Sequence, residues 1–349
     1  MVKKGVLIVN LGTPDSPEVG DVRKYLREFL MDGRVIDIDS WKRWMLVNLI
    51  IAPFRAPKSA KEYIKVWEDE GSPLLTYGVK TKHLLQEALG EEEYLVELGM
   101  RYQSPSIAQA LDNLKAANVK EIIVIPLFPQ YASATTGSVT AKVMELMGDW
   151  QVIPDIKFVQ HFHRHPLFIK AFAEIGKKYL EKQSYDHVIF SYHGLPERQI
   201  IKAQIKTCCQ LKNGTCSKNS EKNTFCYRSA CFETSRLLAS ALGLQEDQYT
   251  VCFQSRLGKD PWIQPYTEDT IKKLASEGKK SVLAFSPAFV ADCLETTVEV
   301  GQEYKELFEE EGGTHWQLVE SLNDHPLWIA CLQDLVHNTA SKAEEVFVG

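Results

Sequence analysis

No stretch of this 349-residue chain is apolar for long enough to cross a bilayer as a helix. That excludes a helical membrane protein. Positive charge is not in excess either: 40 Lys and Arg stand against 46 Asp and Glu, for a net charge of −6. With no basic repeat or arm, this argues against a nucleic-acid partner. The opening Met1-Val2-Lys3-Lys4-Gly5-Val6-Leu7-Ile8-Val9-Asn10 lacks the long apolar region and small-residue cleavage site of an export signal, and reads as a first strand. The expected address is the cytoplasm, with peripheral contact on the inner membrane as the furthest excursion. Eight cysteines are present, but the paired C-x2-C knuckles of zinc sites are missing.

What is there is ordinary in bulk: 44% hydrophobic and 25% charged residues, in a length that fits two domains of about 150 residues each. Eight β-branched or apolar runs end in turn residues: Gly5–Asn10, Tyr94–Met100, Glu121–Pro126, Ile156–Gln160, His187–Tyr192, Tyr249–Gln254, Ser281–Ser286 and Thr314–Val319. Amphipathic stretches of helical length lie between most of them. Strands alternating with helices predict α/β layers, and near-continuous apolar runs are those of buried parallel strands.

The chain also repeats itself. Phe128–Thr136 aligns with Phe289–Thr297 at an offset of 161 residues (289 − 128), and His165-Pro-Leu-Phe-Ile169 with His325-Pro-Leu-Trp-Ile329 at 160 (325 − 165). Asn10-Leu-Gly-Thr-Pro14 has a looser partner in Tyr192-His-Gly-Leu-Pro196, displaced by 21 further residues (192 − 10 − 161). The expected organisation is an N-terminal domain over 1–160 and a similar C-terminal domain over 161–325. The second carries a cysteine-rich insert at about 202–232, and a terminal helix over 326–349 can cross back to the first domain. Two such halves predict an active-site cleft between them, with ligands at the carboxyl ends of the strands.

Three clusters carry chemistry. His193 ends an apolar strand on a tight turn, and an imidazole with an ordinary pKa near 6.5 suits proton abstraction at neutral pH. Asp292, Glu295 and Glu299 follow the strand Ser281–Ser286, and the series continues through Glu303, Glu306 and Glu310. Spacings of three and four predict one helical face. A solvated surface explains Glu306 and Glu310, whereas a carboxylate row beginning beside Pro287, Phe289 and Val290 could pass a cation inward by ligand exchange. The third cluster is Cys208, Cys209, Cys216, Cys226 and Cys231, in a polar segment where seven Lys/Arg face Glu221 and Glu233 between Lys202 and Arg236. So polar a loop needs a cross-link or a metal to order it. An iron–sulfur cluster on four thiolates ranks ahead of zinc, disulfides or free thiols, with Cys208 or Cys209 surplus.

The Trp- and Leu-rich segment Trp41–Arg55, basic at both ends, has the composition of an interfacial helix. A buried helix and an apolar lip over a greasy ligand are the alternatives.

These residues together resemble the ferrochelatases. The matching stretches are Val9–Pro14, Gly71-Ser72-Pro73-Leu74, Gly99-Met100-Arg101-Tyr102, Pro129–Gly137, Ser191–Pro196, Phe253-Gln254-Ser255-Arg256, Pro261-Trp262 and Phe289–Thr296, in order along nearly the whole chain. The resemblance implies two Rossmann-like domains, each a parallel sheet flanked by helices, and insertion of Fe2+ into protoporphyrin IX to complete haem. It implies His193 as proton acceptor or metal contact and Glu295 as its partner, with Asp292 and Glu299 in the iron-handling row. Arg101 and Tyr102 would lie near the macrocycle, with Leu11, Phe289 and Trp262 as apolar walls. A π-turn in the helix bearing Glu295 is implied as well. Many relatives have a second histidine where this chain has Cys293. The cysteine insert is similar to the segment that holds a [2Fe-2S] cluster in some bacterial relatives, and the Asp-Cys-Leu-Glu-Thr stretch goes with protoporphyrin over coproporphyrin. The partners implied are therefore porphyrin and ferrous iron, in a monomer or homodimer. The alternatives are a coproporphyrin or other tetrapyrrole chelatase, and a non-catalytic two-domain protein whose cysteine loop senses iron or redox state.

Overall fold

The structure, a computed structural model, describes residues 3–203, 223–258 and 260–341. The order of elements is β1 (Lys4–Gly12), α1 (Val19–Met31), α2 (Ser40–Met45), a π-helix (Leu46–Ile51), α3 (Ala52–Val66), α4 (Pro73–Leu89), β2 (Tyr94–Tyr102), α5 (Ile107–Ala116), β3 (Glu121–Pro126), a second π-helix (Ser133–Gly137), α6 (Ser138–Gly148) and β4 (Asp155–Phe158). Then follow α7 (Pro166–Lys182), β5 (His187–His193), α8 (Glu197–Lys202), α9 (Tyr227–Leu242), β6 (Tyr249–Gln254), α10 (Thr267–Ser276), β7 (Ser281–Phe285), a third π-helix (Leu294–Glu303), α11 (Tyr304–Glu310), β8 (His315–Leu318) and α12 (Pro326–Ser341). All eight strands read from the sequence form.

They make two all-parallel four-stranded sheets, ordered β2-β1-β3-β4 and β6-β5-β7-β8. The same order in both sheets is the structural form of the repeat. Contacts divide the chain into two units. The first comprises Met1–Phe128, Ser133–His161 and Asp324–Gly349; the second comprises Pro129–Ala132 and Phe162–Asn323. Helix α12 is thus part of the first unit, where Gln333 Nε2 donates to the Ala88 carbonyl at 2.6 Å and His337 lies against Tyr94 with ring centroids 6.1 Å apart. Pro129–Ala132 is part of the second: buried Gln130 donates from Nε2 to Thr234 Oγ1 at 3.1 Å and, longer, to the Pro287 carbonyl at 3.4 Å.

Burial explains both sheets. Val6, Leu7, Ile8 and Val9 of β1 are fully covered, each contributing about 1.5–3 kcal/mol by leaving water. In the second unit Ile189, Cys252, Val282 and Ala284 form one core with Ile271, Val300, Phe308 and Trp316. Trp316 donates its indole N–H to the Val300 carbonyl at 2.8 Å, which pins the third π-helix to β8. His165 and His325, the repeated pair, each accept a helix N-terminal amide on Nδ1 at 3.3 Å, from Leu167 and Leu327. The repeat was thus a capping signature as well as a motif.

Within each sheet the chain leaves its first strand for one side and returns on the other. That makes a switch point at the carboxyl ends of the central pair, where open α/β sheets place ligands. In the second unit the central strands are β5 and β7. His193 ends the former, and the loop to Glu295 follows the latter.

Candidate active site

His193 is half-buried, and its Nδ1 lies 2.7 Å from the Gly194 carbonyl oxygen. A carbonyl carries no proton, so the imidazole must donate there. Neutral His193 is therefore protonated on Nδ1 and keeps its Nε2 lone pair, the arrangement a general base requires. The turn beyond it is zipped to a second segment: Gly194 N–H donates to the Gln254 carbonyl at 2.8 Å, Glu197 N–H to Pro261 at 2.9 Å and Ile263 N–H to Leu195 at 3.0 Å. Trp262 stands beside the imidazole, ring centroids 6.4 Å apart, and is buried. Position 194 has to be glycine in this packing. A Cβ there would come within 2.8 Å of the Gln254 carbonyl and 3.0 Å of Trp262 Cε3. From behind, Tyr227 at the start of α9 donates its hydroxyl to the His193 carbonyl at 2.9 Å.

The acidic residues divide into three kinds. Asp292 accepts from Asn323 Nδ2 at 2.7 Å, from the Ser321 amide at 3.0 Å and more distantly from Thr296 Oγ1 at 3.4 Å. Its own amide donates to Asn323 Oδ1 at 2.9 Å. It ties the loop after β8 to the start of the third π-helix. Glu299 accepts from Ser255 Oγ at 2.6 Å, from Gln254 Nε2 at 3.0 Å and from Tyr304 at 3.0 Å. Burial, and then the Glu299 charge, keeps the Tyr304 hydroxyl protonated well past its ordinary range. Glu295, half-buried on the first turn of the π-helix, has the Cys293 thiol beside its carboxylate. Glu303, Glu306 and Glu310 are exposed.

The helix bearing this row is π-helical from Leu294 to Glu303 and α-helical only beyond Tyr304, as the resemblance implied and the α-helical spacing argument did not. Its cap is Cys293, whose side chain accepts from the Thr296 amide while Thr296 Oγ1 accepts from the Cys293 amide at 2.9 Å. Burial, then the adjacent Glu295 carboxylate, pushes the Cys293 thiol up, so this cap position holds a protonated thiol.

In the first unit Arg101 donates from Nε to Ser138 Oγ at 2.7 Å and pairs through Nη2 with Asp32 at 2.8 Å. Tyr102, fully buried, donates its hydroxyl to the same Asp32 at 3.0 Å. Burial opposes the Asp32 charge, but the hydrogen bonds from Ser138, the Arg34 amide and Tyr102, together with the Arg101 cation, outweigh it and hold this carboxyl below its ordinary range. Leu11 is half-buried near the end of β1, and Phe289 is half-buried in the loop after β7.

Of the cysteine segment, Cys208, Cys209 and Cys216 lie outside the described residues. Cys226 and Cys231 are buried at the start of α9. Between them Arg228, 8% exposed, donates from Nε and Nη2 to the Gln264 carbonyl at 3.3 and 3.1 Å, while its buried Nη1 has no partner among the described residues. Also among the described residues, no group of three or more His, Cys, Asp or Glu side chains gathers as a metal site.

The segment Trp41–Arg55 is not a buried helix. Val47 and Ala52 turn inward, but Trp41 (61% exposed), Trp44, Met45, Leu49, Ile50 and Phe54 (77%) stand in solvent. No helix of the described residues is long and apolar enough to cross a membrane.

Sequence reasoning missed Gln254, Ser255, Tyr304, Tyr227 and Asp32. Gln254 and Ser255 lay inside a quoted motif, but nothing in their type announced a role.

Comparison with known proteins bears on what this arrangement does. The family model described as Ferrochelatase matches residues 3–340. A ferrochelatase of Legionella pneumophila (strain Lens) is 46% identical over 336 residues, covering 96% of this chain and 99% of that protein. One from Coxiella burnetii (strain Dugway 5J108-111) is 41% identical over 345 residues, covering 99% and 95%. Among solved structures, the sirohydrochlorin chelatase SirB from Bacillus subtilis subspecies spizizenii in complex with cobalt aligns at a TM-score of 0.56 and 10% identity, covering 99% of this chain and 98% of that one. That likeness speaks for the fold alone.

Proposed function

The chain belongs to the ferrochelatase family, lyases of haem synthesis with ferrous iron as a substrate, and on that premise we propose protoporphyrin IX as its porphyrin and His193 as its base. The observation that carries this reading is the Nδ1 contact to the Gly194 carbonyl. Metalation must strip two protons from pyrrole nitrogens. Nε2 is the nitrogen left to accept one, and the imidazolium that results keeps its Nδ1 bond to the same carbonyl.

Glu295 is the carboxylate of the row that exchanges ligands, taking water's place on the incoming iron or receiving the second proton. Glu299, engaged by three donors, anchors the row, and Asp292 serves as a brace rather than an iron ligand. Trp262 supports an apolar wall beside the base, and Leu11 and Phe289 supply further apolar surface. Arg101, already paired with Asp32, and Tyr102, buried behind it, shape the first unit rather than offer a free cation.

A [2Fe-2S] cluster on Cys208 or Cys209, Cys216, Cys226 and Cys231 is our reading of the insert. Arg228 fits it, because a buried guanidinium with an unpaired N–H is stabilised by a nearby anion such as a thiolate-bound cluster. When bound, the cluster would staple the insert to the start of α9. The exposed apolar segment Trp41–Phe54 supports a peripheral membrane contact or a lip for a greasy ligand.

The test is iron or zinc insertion into protoporphyrin by purified His193→Ala. Loss of about 100-fold or more in kcat is expected for removal of a general base. Activity near wild type would remove His193 from the chemistry. Protein purified without oxygen should be coloured, and colourless protein holding tight zinc would overturn the cluster.

A further inference from the structure

Gln254 touches both halves of the chemistry through different atoms. Its backbone is paired with His193 across the β5–β6 ladder, and its carbonyl receives the Gly194 N–H at 2.8 Å. Its side chain, on a residue only 1% exposed, reaches the other way: Nε2 donates to the Glu295 carbonyl at 3.0 Å and to Glu299 Oε2 at 3.0 Å, and Oε1 accepts from Ser191 Oγ at 2.8 Å. Every polar atom of the amide is engaged. The orientation is forced as well, since a flipped amide would set its oxygen against the Glu295 carbonyl and the Glu299 carboxylate. Ser191 has a single proton, used on Gln254, so Thr267 at 3.1 Å must donate to Ser191 and lock it in turn. The next residue, Ser255, sits at φ 64°, an uncommon backbone state for a non-glycine residue, and from there its hydroxyl meets Glu299 at 2.6 Å.

We infer that Gln254 is a positioning residue for metal insertion: it sets the π-helix carrying Glu295 and Glu299 in register with the turn carrying His193. The amide bonds to the Glu295 carbonyl and to the Glu299 carboxylate further along tie the start of the π-helix to the end of β6, which fixes where Glu295 sits relative to His193. The inference rests on the chelatase reading above.

The experiment is steady-state metal insertion by Gln254→Met, which keeps the volume and the strand but removes the amide. Active sites are counted by porphyrin titration, and melting is followed in parallel. We expect kcat per active site to fall about 10- to 100-fold, the usual consequence of misplacing a reacting group by an ångström or less, with porphyrin affinity unchanged. A folded variant with kcat within threefold of wild type overturns the inference, and so does a loss confined to porphyrin affinity or to the count of active sites. Should Gln254→Met fail to fold, Ser191→Ala carries the test: it removes only the hydroxyl that orients the amide. A three- to tenfold fall in kcat supports the inference, and wild-type kcat overturns it. Wild-type protein that inserts no metal would instead sink the chelatase reading, so the two failures are distinguishable.

Discussion

Asp292→Asn distinguishes a brace from an iron ligand. The substitution changes one oxygen into an NH2 group and removes a charge, leaving size and shape alone. Around the wild-type carboxylate, Asn323 Nδ2 and the Ser321 amide both point inward as donors, and Asn323 Oδ1 is held by the Asp292 amide. An amide at 292 must therefore turn its NH2 toward one of two donors. Rotating Asn323 to relieve the clash would face its own NH2 toward the Asp292 N–H. One donor stays unsatisfied in every arrangement, at about 1–3 kcal/mol, and the loss of charge assistance in the remaining bond brings the cost to roughly 2–4 kcal/mol. For a unit of this size that lowers the melting temperature by roughly 5–15 °C. The assay is calorimetry on Asp292→Asn beside the metal dependence of insertion. A lower melting temperature with an unchanged KM for metal is expected. Wild-type stability with a raised KM for metal would refute the brace and return Asp292 to the iron-handling row.

Gly194→Ala should cost about 1–3 kcal/mol in urea unfolding, because its methyl would come within 2.8 Å of a backbone carbonyl and 3.0 Å of a buried indole, and it should lower insertion by displacing His193. Unchanged stability and rate would disprove the tight packing of that turn. Asp32 predicts an acid limb. Its folded pKa lies below the ordinary 3.8, so the unfolded chain takes up the proton first; the stability it contributes is complete above 3.8 and is lost as pH falls through that value toward the lowered one. The urea midpoint of wild type should drop more steeply below about pH 4.5 than that of Asp32→Asn. Parallel curves would contradict the Asp32–Arg101 reading.

Strands and the repeat were legible because both are local patterns: apolar runs of strand length, and His-Pro pairs that open helices. His193 stood out as a candidate because a titratable residue ending a buried strand is conspicuous, and Glu295 because it falls in the acidic series after β7. Asp32 was not, because its partners Arg101 and Tyr102 are 69 and 70 residues away and only the fold of the first unit brings them together. Gln254 was invisible in a different way. A neutral amide carries no charge signal, and its importance comes from two bonds to residues 41 and 45 positions further on. The three-and-four spacing of the carboxylates suggested one α-helical face, but the backbone there is wider, and Glu299 is oriented by Gln254 and Ser255 from outside the helix. Asp292 was read as part of that row from its spacing, its place after β7 and the family resemblance. Its partners lie beyond β8, on a loop that nothing local connects to it.

The matching sheets have a last consequence. Aligned through Asn10–Pro14 and Tyr192–Pro196, the strand-end seat occupied by His193 in the second unit is occupied by Leu11 in the first. A smaller ancestor pairing with its own copy would carry the same residue at both seats, because exact twofold symmetry makes the partners identical. Two copies fused in one chain are released from that identity. One seat can become ionisable while the other stays greasy, and a division of labour between halves becomes accessible to single mutations.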